Sequence, residues 1–201
     1  MAAGYGSYNI KNVRQTTYNL TTKKQIKNGM KIVQISDLHT PTTMTTEKFK
    51  TYCRKIQAQH PDILALTGNI FDENTTKEEM QIVAEELGQI KTTYGIFYVF
   101  GNHDYNYYTN KPFYTPDELR RTLKENCKAG VDLSLSGHTH AGQIWPTGQL
   151  GELIGVNELN YGYRQDGDYQ VIVSSGIGGW GYPIRTGGHS EYVVITLNTK
   201  K

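Results

Sequence analysis

The stretch Ile96-Phe97-Tyr98-Val99-Phe100-Gly101-Asn102-His103-Asp104 decides the fold class of this chain. Its first five residues are apolar and read as a buried strand. Gly101 lets the backbone turn, and three residues able to bind a metal or a phosphate follow. The same order recurs three times. Ile32-Val33-Gln34-Ile35-Ser36 runs into Asp37-Leu38-His39, and Ile63-Leu64-Ala65-Leu66 into Thr67-Gly68-Asn69-Ile70-Phe71-Asp72. Leu133-Ser134-Leu135-Ser136 runs into Gly137-His138-Thr139-His140. In an open α/β sheet the loops at the carboxyl ends of the strands line one crevice. Four loops carrying Asp, His and Asn are therefore expected to converge.

The segments between these strands carry helical signals. Thr45-Thr46 starts one helix, with Phe49, Tyr52, Cys53 and Ile56 at i, i+3, i+4 and i+7. His60-Pro61 ends it and leaves His60 on the surface. Thr76-Lys77-Glu78-Glu79 is a capping box ahead of Met80, Val83, Leu87 and Ile90. Gly95 is expected to close that helix. Thr115-Pro116-Asp117-Glu118 predicts a further helix with Leu119 and Leu123 on its apolar face. The C-terminal third is rich in Gly and Tyr, with strand patterns at 169–174 and 192–197. The order β-α-β-α-β followed mainly by β predicts an α/β layered sandwich. Residues 1–30 read as an N-terminal edge segment. Tyr8-Ile10 and Tyr18-Leu20 alternate as in an edge hairpin, and Lys27-Asn28-Gly29 turns into the strand at Ile32. Residues 31–197 are expected to form a single domain.

A length of 201 residues allows one substantial core, and a net charge of +2 gives no field for nucleic acid. The two cysteines, Cys53 and Cys127, have neither a CxxC partner nor zinc-type spacing. No apolar run reaches 18 residues, and Met1-Ala2-Ala3-Gly4 carries no apolar signal region, so the chain is expected to be soluble.

Asp-x-His and His-x-His each place two metal ligands on one side of an extended chain. Two divalent cations about 3.5–4 Å apart need such ligands from several loops, with a bridging carboxylate. They would hold a hydroxide nucleophile and clamp a phosphate. His103 suits proton donation to a leaving oxygen, with Asp104 fixing its tautomer. Each motif alone is an ordinary turn. Together they put His39, His103, His138 and His140, four of six histidines, within a few residues of a strand end.

In this pattern the chain resembles the calcineurin-like metallophosphoesterase superfamily, across roughly residues 30–197. Within it the likeness is to the membrane-associated bacterial branch, through Ala141-Gly142-Gln143 and the Gly-rich Ser174–Arg185. The resemblance implies a dinuclear Mn, Fe or Zn centre and hydrolysis of phosphodiester or pyrophosphate bonds. Asp37, His39 and His140 would hold one metal, Asn102 and His138 the other, and Asn69 occupies the bridging position. His103 would be the acid and Asp104 its orienting partner. A lipid-linked or envelope substrate at a membrane surface is expected; Trp145 and Trp180-Gly181-Tyr182 read first as packing of a loop-rich edge and, in the sharper alternative, as an apolar lip beside the metals, with Arg185 then holding a substrate phosphate. Two departures stand out. The family's bridging Asp is Asn69 here, and an isolated His is missing between Asp104 and His138, as though a section were deleted near Asn126-Cys127. Both leave room for an impaired enzyme, a single-metal binding module or a non-catalytic one.

Overall fold

The computed structural model describes residues 2–104, 108–109, 111, 113–114, 134–154, 159–166 and 169–199. The helix expected from Thr115, Cys127, and the Asn126-Cys127 junction lie outside the described residues.

The central element is a five-stranded sheet. Its strands are β1 (Arg14–Thr22), β2 (Met30–Ile35), β3 (Ile63–Thr67), β4 (Gly95–Val99) and β8 (Glu191–Thr199), in the spatial order β1-β8-β2-β3-β4. Strands β2, β3 and β4 run parallel, β8 is antiparallel to β2, and β1 is parallel to β8. A second sheet of three strands is formed by β5 (Ser134–Ser136), β6 (Gly162–Asp166) and β7 (Tyr169–Val173), in the order β5-β7-β6.

Strand periodicity sorts the apolar residues onto two faces. Val33, Ile35, Leu64, Leu66, Tyr192 and Val194 pack with helices α2 (Thr46–Gln57) and α3 (Lys77–Gly88). Ile32, Ala65, Val193 and Ile195 face the other way, against Ile172 and Leu135 of the small sheet. The central strands are buried on both faces, so they read as unbroken apolar runs. The layers are helices, large sheet, small sheet, which is the α/β sandwich expected. Gln34 ties the two sheets together, its Nε2 donating to the Thr67 hydroxyl at 2.9 Å and to the Ser136 carbonyl at 3.0 Å.

The two sequence-read helices that lie within the described residues form for the reasons given. Thr45 caps α2, accepting from Lys48 N, and Phe49, Tyr52, Cys53 and Ile56 are buried. Thr76 and Glu79 close the capping box of α3 reciprocally. That helix ends at Gly88, not at Gly95, which opens β4 at a φ of 111°.

The N-terminal hairpin is not found. Residues Ala2–Lys11 form helix α1, and only Arg14–Thr22 is extended. Tertiary contacts select that helix. Ile10 is fully buried, Asn9 Nδ2 donates to the Gly188 carbonyl, and Gly6 lies against Ile184, where a Cβ would clash. A period-two pair such as Tyr8 and Ile10 carries no information about such partners. The short helix α4 (Thr147–Leu153) and strand β6 also escaped the sequence reading. Among the described residues no helix is long and apolar enough to cross a membrane.

Candidate metal centre

The loops after β2, β3, β4 and β5 meet at one edge of the large sheet. Six of their residues have left-handed backbone: Asp37, His39, Asn69, His138, His140 and Ala141, with φ between 45° and 73°. Asn, Asp and His tolerate this region better than other side chains, yet each such residue costs about 1 kcal/mol or more. The surroundings over-determine it. Asp37 N donates to Gly68 O, His39 N to Asn69 O, and Gly178 N to Asp37 O. Gly137 and Gly176 lie against Asp37, where a Cβ on either would clash, and Gly101 lies against Asn69 in the same way. Strained turns are how each loop aims its side chain inward.

Asp37, His39 and His140 offer ligand atoms that all lie within 4.8 Å of one another. All three are buried, His39 completely. The His140 Nε2 is 3.6 Å from Asp37 Oδ1. Neither ring nitrogen of His39 has a hydrogen-bond partner, nor has Nδ1 of His140. Burial pushes both imidazoles down to about 3, partly opposed at His39 by the Asp37 charge and reinforced at His140 by Arg185. Both rings are therefore neutral at physiological pH, the form that ligates a cation. Orphaned buried nitrogens beside a carboxylate fit a divalent ion.

The remaining residues surround this cluster. His138 donates its backbone N–H to both Asp37 carboxylate oxygens, at 3.0 and 2.9 Å, while its side chain is exposed. Asn69 accepts from His103 N at 3.2 Å, and its Nδ2 lies 3.4 Å from both Asp37 Oδ1 and Asn102 Oδ1. The His103 ring is 5.0 Å from that of His39, centroid to centroid, and Nδ1 is 2.8 Å from Glu73 Oε1. Tyr108 and Trp180 flank the His103 ring at 4.9 and 5.8 Å. A cleft of about 460 Å³ opens alongside, lined by Thr67, Asn69, Val99, Asn102, Tyr108 and His138 among others.

Among known proteins, the calcineurin-like phosphoesterase family model matches residues 30–129. The chain belongs to the calcineurin-like metallophosphoesterases. It is 27% identical to an uncharacterized metallophosphoesterase of Helicobacter pylori J99 over 228 residues, covering 85% of this chain and 60% of the relative. A metallophosphoesterase of Aquifex aeolicus is 25% identical over 246 residues, 94% of this chain and 93% of the relative. A Danio rerio protein named as a transmembrane protein with metallophosphoesterase domain is 25% identical, covering 85% of this chain and 53% of the relative. The chain thus spans about 60% of the length of its Helicobacter relative. Since 85% of 201 residues is about 171, at least about 57 of the 228 aligned positions have no counterpart here. The Aquifex alignment has the same shortfall, about 57 of 246. The family match stops at residue 129, ahead of Gly137–His140. A missing internal section between Asp104 and His138 accounts for both.

Two of the expected site residues have partners other than those the sequence suggested. Asp104, expected to orient His103, has backbone N–H groups as its hydrogen-bond partners. Its fully buried carboxylate accepts the backbone N–H groups of Asn69, Phe71 and Gly101, at 2.7, 3.0 and 2.7 Å. It knits the β3 and β4 loops together, and burial pushes it up to about 6 against the pull of those bonds. Glu73 holds His103 instead. It directly follows Asp72 in sequence, so the residue was in view but its reach was not. Arg185, expected to hold a substrate phosphate, is turned inward. It is fully buried, and its guanidinium donates to the carbonyls of His140 at 2.6 Å, Ser175 at 2.8 Å and Gly178 at 2.5 Å. Its carbonyl partners sit on the loops that carry and cover the ligands, so Arg185 braces the centre from behind. Tyr108 was also missed, since a tyrosine in a polar loop carries no distinguishing signal.

Proposed function

We propose that this chain is a metal-dependent phosphoesterase, acting on phosphodiester or pyrophosphate links of a lipid-linked or otherwise amphiphilic substrate. The observation that carries the reaction class is the buried Asp37, His39 and His140 cluster with its partnerless imidazole nitrogens. A divalent cation, Mn, Fe or Zn, held there would supply Lewis-acid polarisation of the phosphoryl group and an acidified water. Asp37 contributes the negative charge that offsets the ion, and the neutral His39 and His140 complete its ligand set. His103 is the proton donor to the leaving oxygen. Glu73 holds the proton on Nδ1 through their 2.8 Å contact, leaving Nε2 to face substrate. Asn102 and the exposed His138 ring border the adjoining cleft and are placed to receive the phosphate. Residues 31–197 act as one domain in this reading, with the N-terminal segment adding its edge strand.

The amphiphilic part of the proposal rests on the lip. Trp145, Leu153, Trp180 and Tyr182 are all exposed, and Gln143 pins their two loops together by donating to the carbonyls of Trp180, Tyr182 and Ile184. Trp180 lies against the His103 ring, so the apolar rim reaches the proposed acid. The name of the Danio rerio relative supports a membrane setting.

The test is hydrolysis of a chromogenic phosphodiester with added Mn, before and after chelation. Turnover that a chelator abolishes and Mn restores is expected. His103→Ala should lower kcat by about 10²–10⁴-fold for an alkoxide leaving group. The loss should be much smaller for nitrophenolate, which departs without a proton. Equal losses for both would remove the acid role.

A further inference from the structure

We infer that Asn69 replaces the second cation of the centre, so that the chain binds a single divalent ion on Asp37, His39 and His140. The inference rests on the phosphoesterase reading for the existence of a metal, but its content lies in the amide geometry.

An Asn side chain presents one acceptor and one donor end, and the network decides which is which. The backbone N–H of His103 can only donate, and it points at Asn69 Oδ1 from 3.2 Å. That contact turns Nδ2 toward the crevice, where it meets Asp37 Oδ1 and Asn102 Oδ1, each at 3.4 Å. Reversing the amide would set a donor against the His103 N–H and an acceptor against both crevice oxygens. All three contacts fix one orientation. An N–H donor cannot ligate a cation, so the position between the two prospective metals is closed by hydrogen.

The charge balance points the same way. A cation on the Asn102 and His138 side would find one amide oxygen and one imidazole, and among the described residues Asp37 is the carboxylate that two dications would have to share. The carboxylates nearby are engaged elsewhere. Asp104 accepts three backbone N–H groups, and Asp72 accepts from Thr42 and from Asn74 N. Nδ2 does what a second ion would do mechanically: it draws Asp37 and Asn102 together and offsets part of the Asp37 charge. The Asn102 and His138 side is thereby left open as the phosphate subsite, matching the cleft that runs along those residues.

The test uses the whole chain, stripped of metal and dialysed against Mn at pH 8, with elemental analysis and electron paramagnetic resonance. One Mn per chain with an uncoupled spectrum is expected for the wild type, and two with a spin-coupled spectrum for Asn69→Asp. In chelator, Asn69→Asp should melt below the wild type, because its carboxylate faces the Asp37 and Asn102 oxygens, and Mn should close that gap. Two Mn in the wild type, or one in Asn69→Asp, overturns the inference. In the second case the missing section, not the amide, limits the site. No Mn in either protein overturns the phosphoesterase reading itself. Should Asn69→Asp fail to fold without metal, Asn69→Ala removes the donor without adding charge. It should bind one Mn and melt below the wild type in chelator, and an unchanged melting temperature would overturn the cross-link.

Discussion

Glu73, Arg185 and Asp104 show how much a single side chain's role depends on where its neighbours fall. Glu73→Gln keeps the size of the side chain but cannot hold the His103 proton in the same way. It should lower kcat roughly 10-fold while leaving KM unchanged, since the contact matters only as the proton moves. A steady-state comparison on an alkyl phosphodiester measures this, and an unchanged kcat would return the orienting role to another residue. Arg185→Lys should act differently. A lysine cannot span three carbonyls, so buried acceptors are left unpaired at about 1–3 kcal/mol each. A total loss of about 2–4 kcal/mol of stability in urea unfolding is expected, with no specific effect on KM. A rise in KM without loss of stability would put Arg185 back at the substrate.

At the scale of elements, the sheet is tied at its amino end by Asp62. Its carboxylate accepts from Lys27 Nζ at 2.6 Å, Lys31 N at 3.0 Å and Thr93 Oγ1 at 2.8 Å, joining the segments that begin β2, β3 and β4. Burial alone would raise its pKa, but these bonds and the Lys27 charge overcome that and pull it to about 2. Because the folded value is below the usual 3.8, the stabilisation is complete above about pH 4 and lost as pH falls toward 2. Asp62→Asn should cost about 1 kcal/mol at pH 7, discounted for the solvent around Lys27, and nothing near pH 2. Parallel denaturation curves at the two pH values check this. The helices make a simpler prediction. Phe49→Ala removes a fully buried ring between α2 and the sheet and should cost about 3–5 kcal/mol, read from the urea midpoint. Both helices were legible from their caps and their 3.6-residue period, because those signals are local. Helix α1 was not, because what stabilises it lies around residues 184–190.

For the whole molecule, the strand that closes the large sheet comes from the N-terminal segment. Strand β1 covers the full length of β8, pairing from Arg14 with Glu191 to Thr22 with Thr199. Removing residues 2–22 would leave β8 as a long apolar edge and uncover Val193 and Ile195. Such a chain is expected to self-associate, seen as a shift to higher mass in size-exclusion chromatography with light scattering; a stable monomer would show that β1 is dispensable. The shortfall of about 57 positions against two relatives also belongs to this scale. The three candidate ligands of the buried cluster, Asp37 and His39 before the missing section and His140 after it, still converge.

The sequence by itself determined the strand ends, both well-capped helices, the layered α/β class and the ligand types, because each is written in short-range periodicity or in a compact motif. It also marked Asn69 and the absent histidine as departures. Only the tertiary structure decided which carboxylate serves His103, which way the Asn69 amide faces and that Arg185 is buried. Each of those outcomes depends on at least one contact between residues 30 to 45 positions apart, and a hydrogen bond across that distance leaves no local trace in the chain.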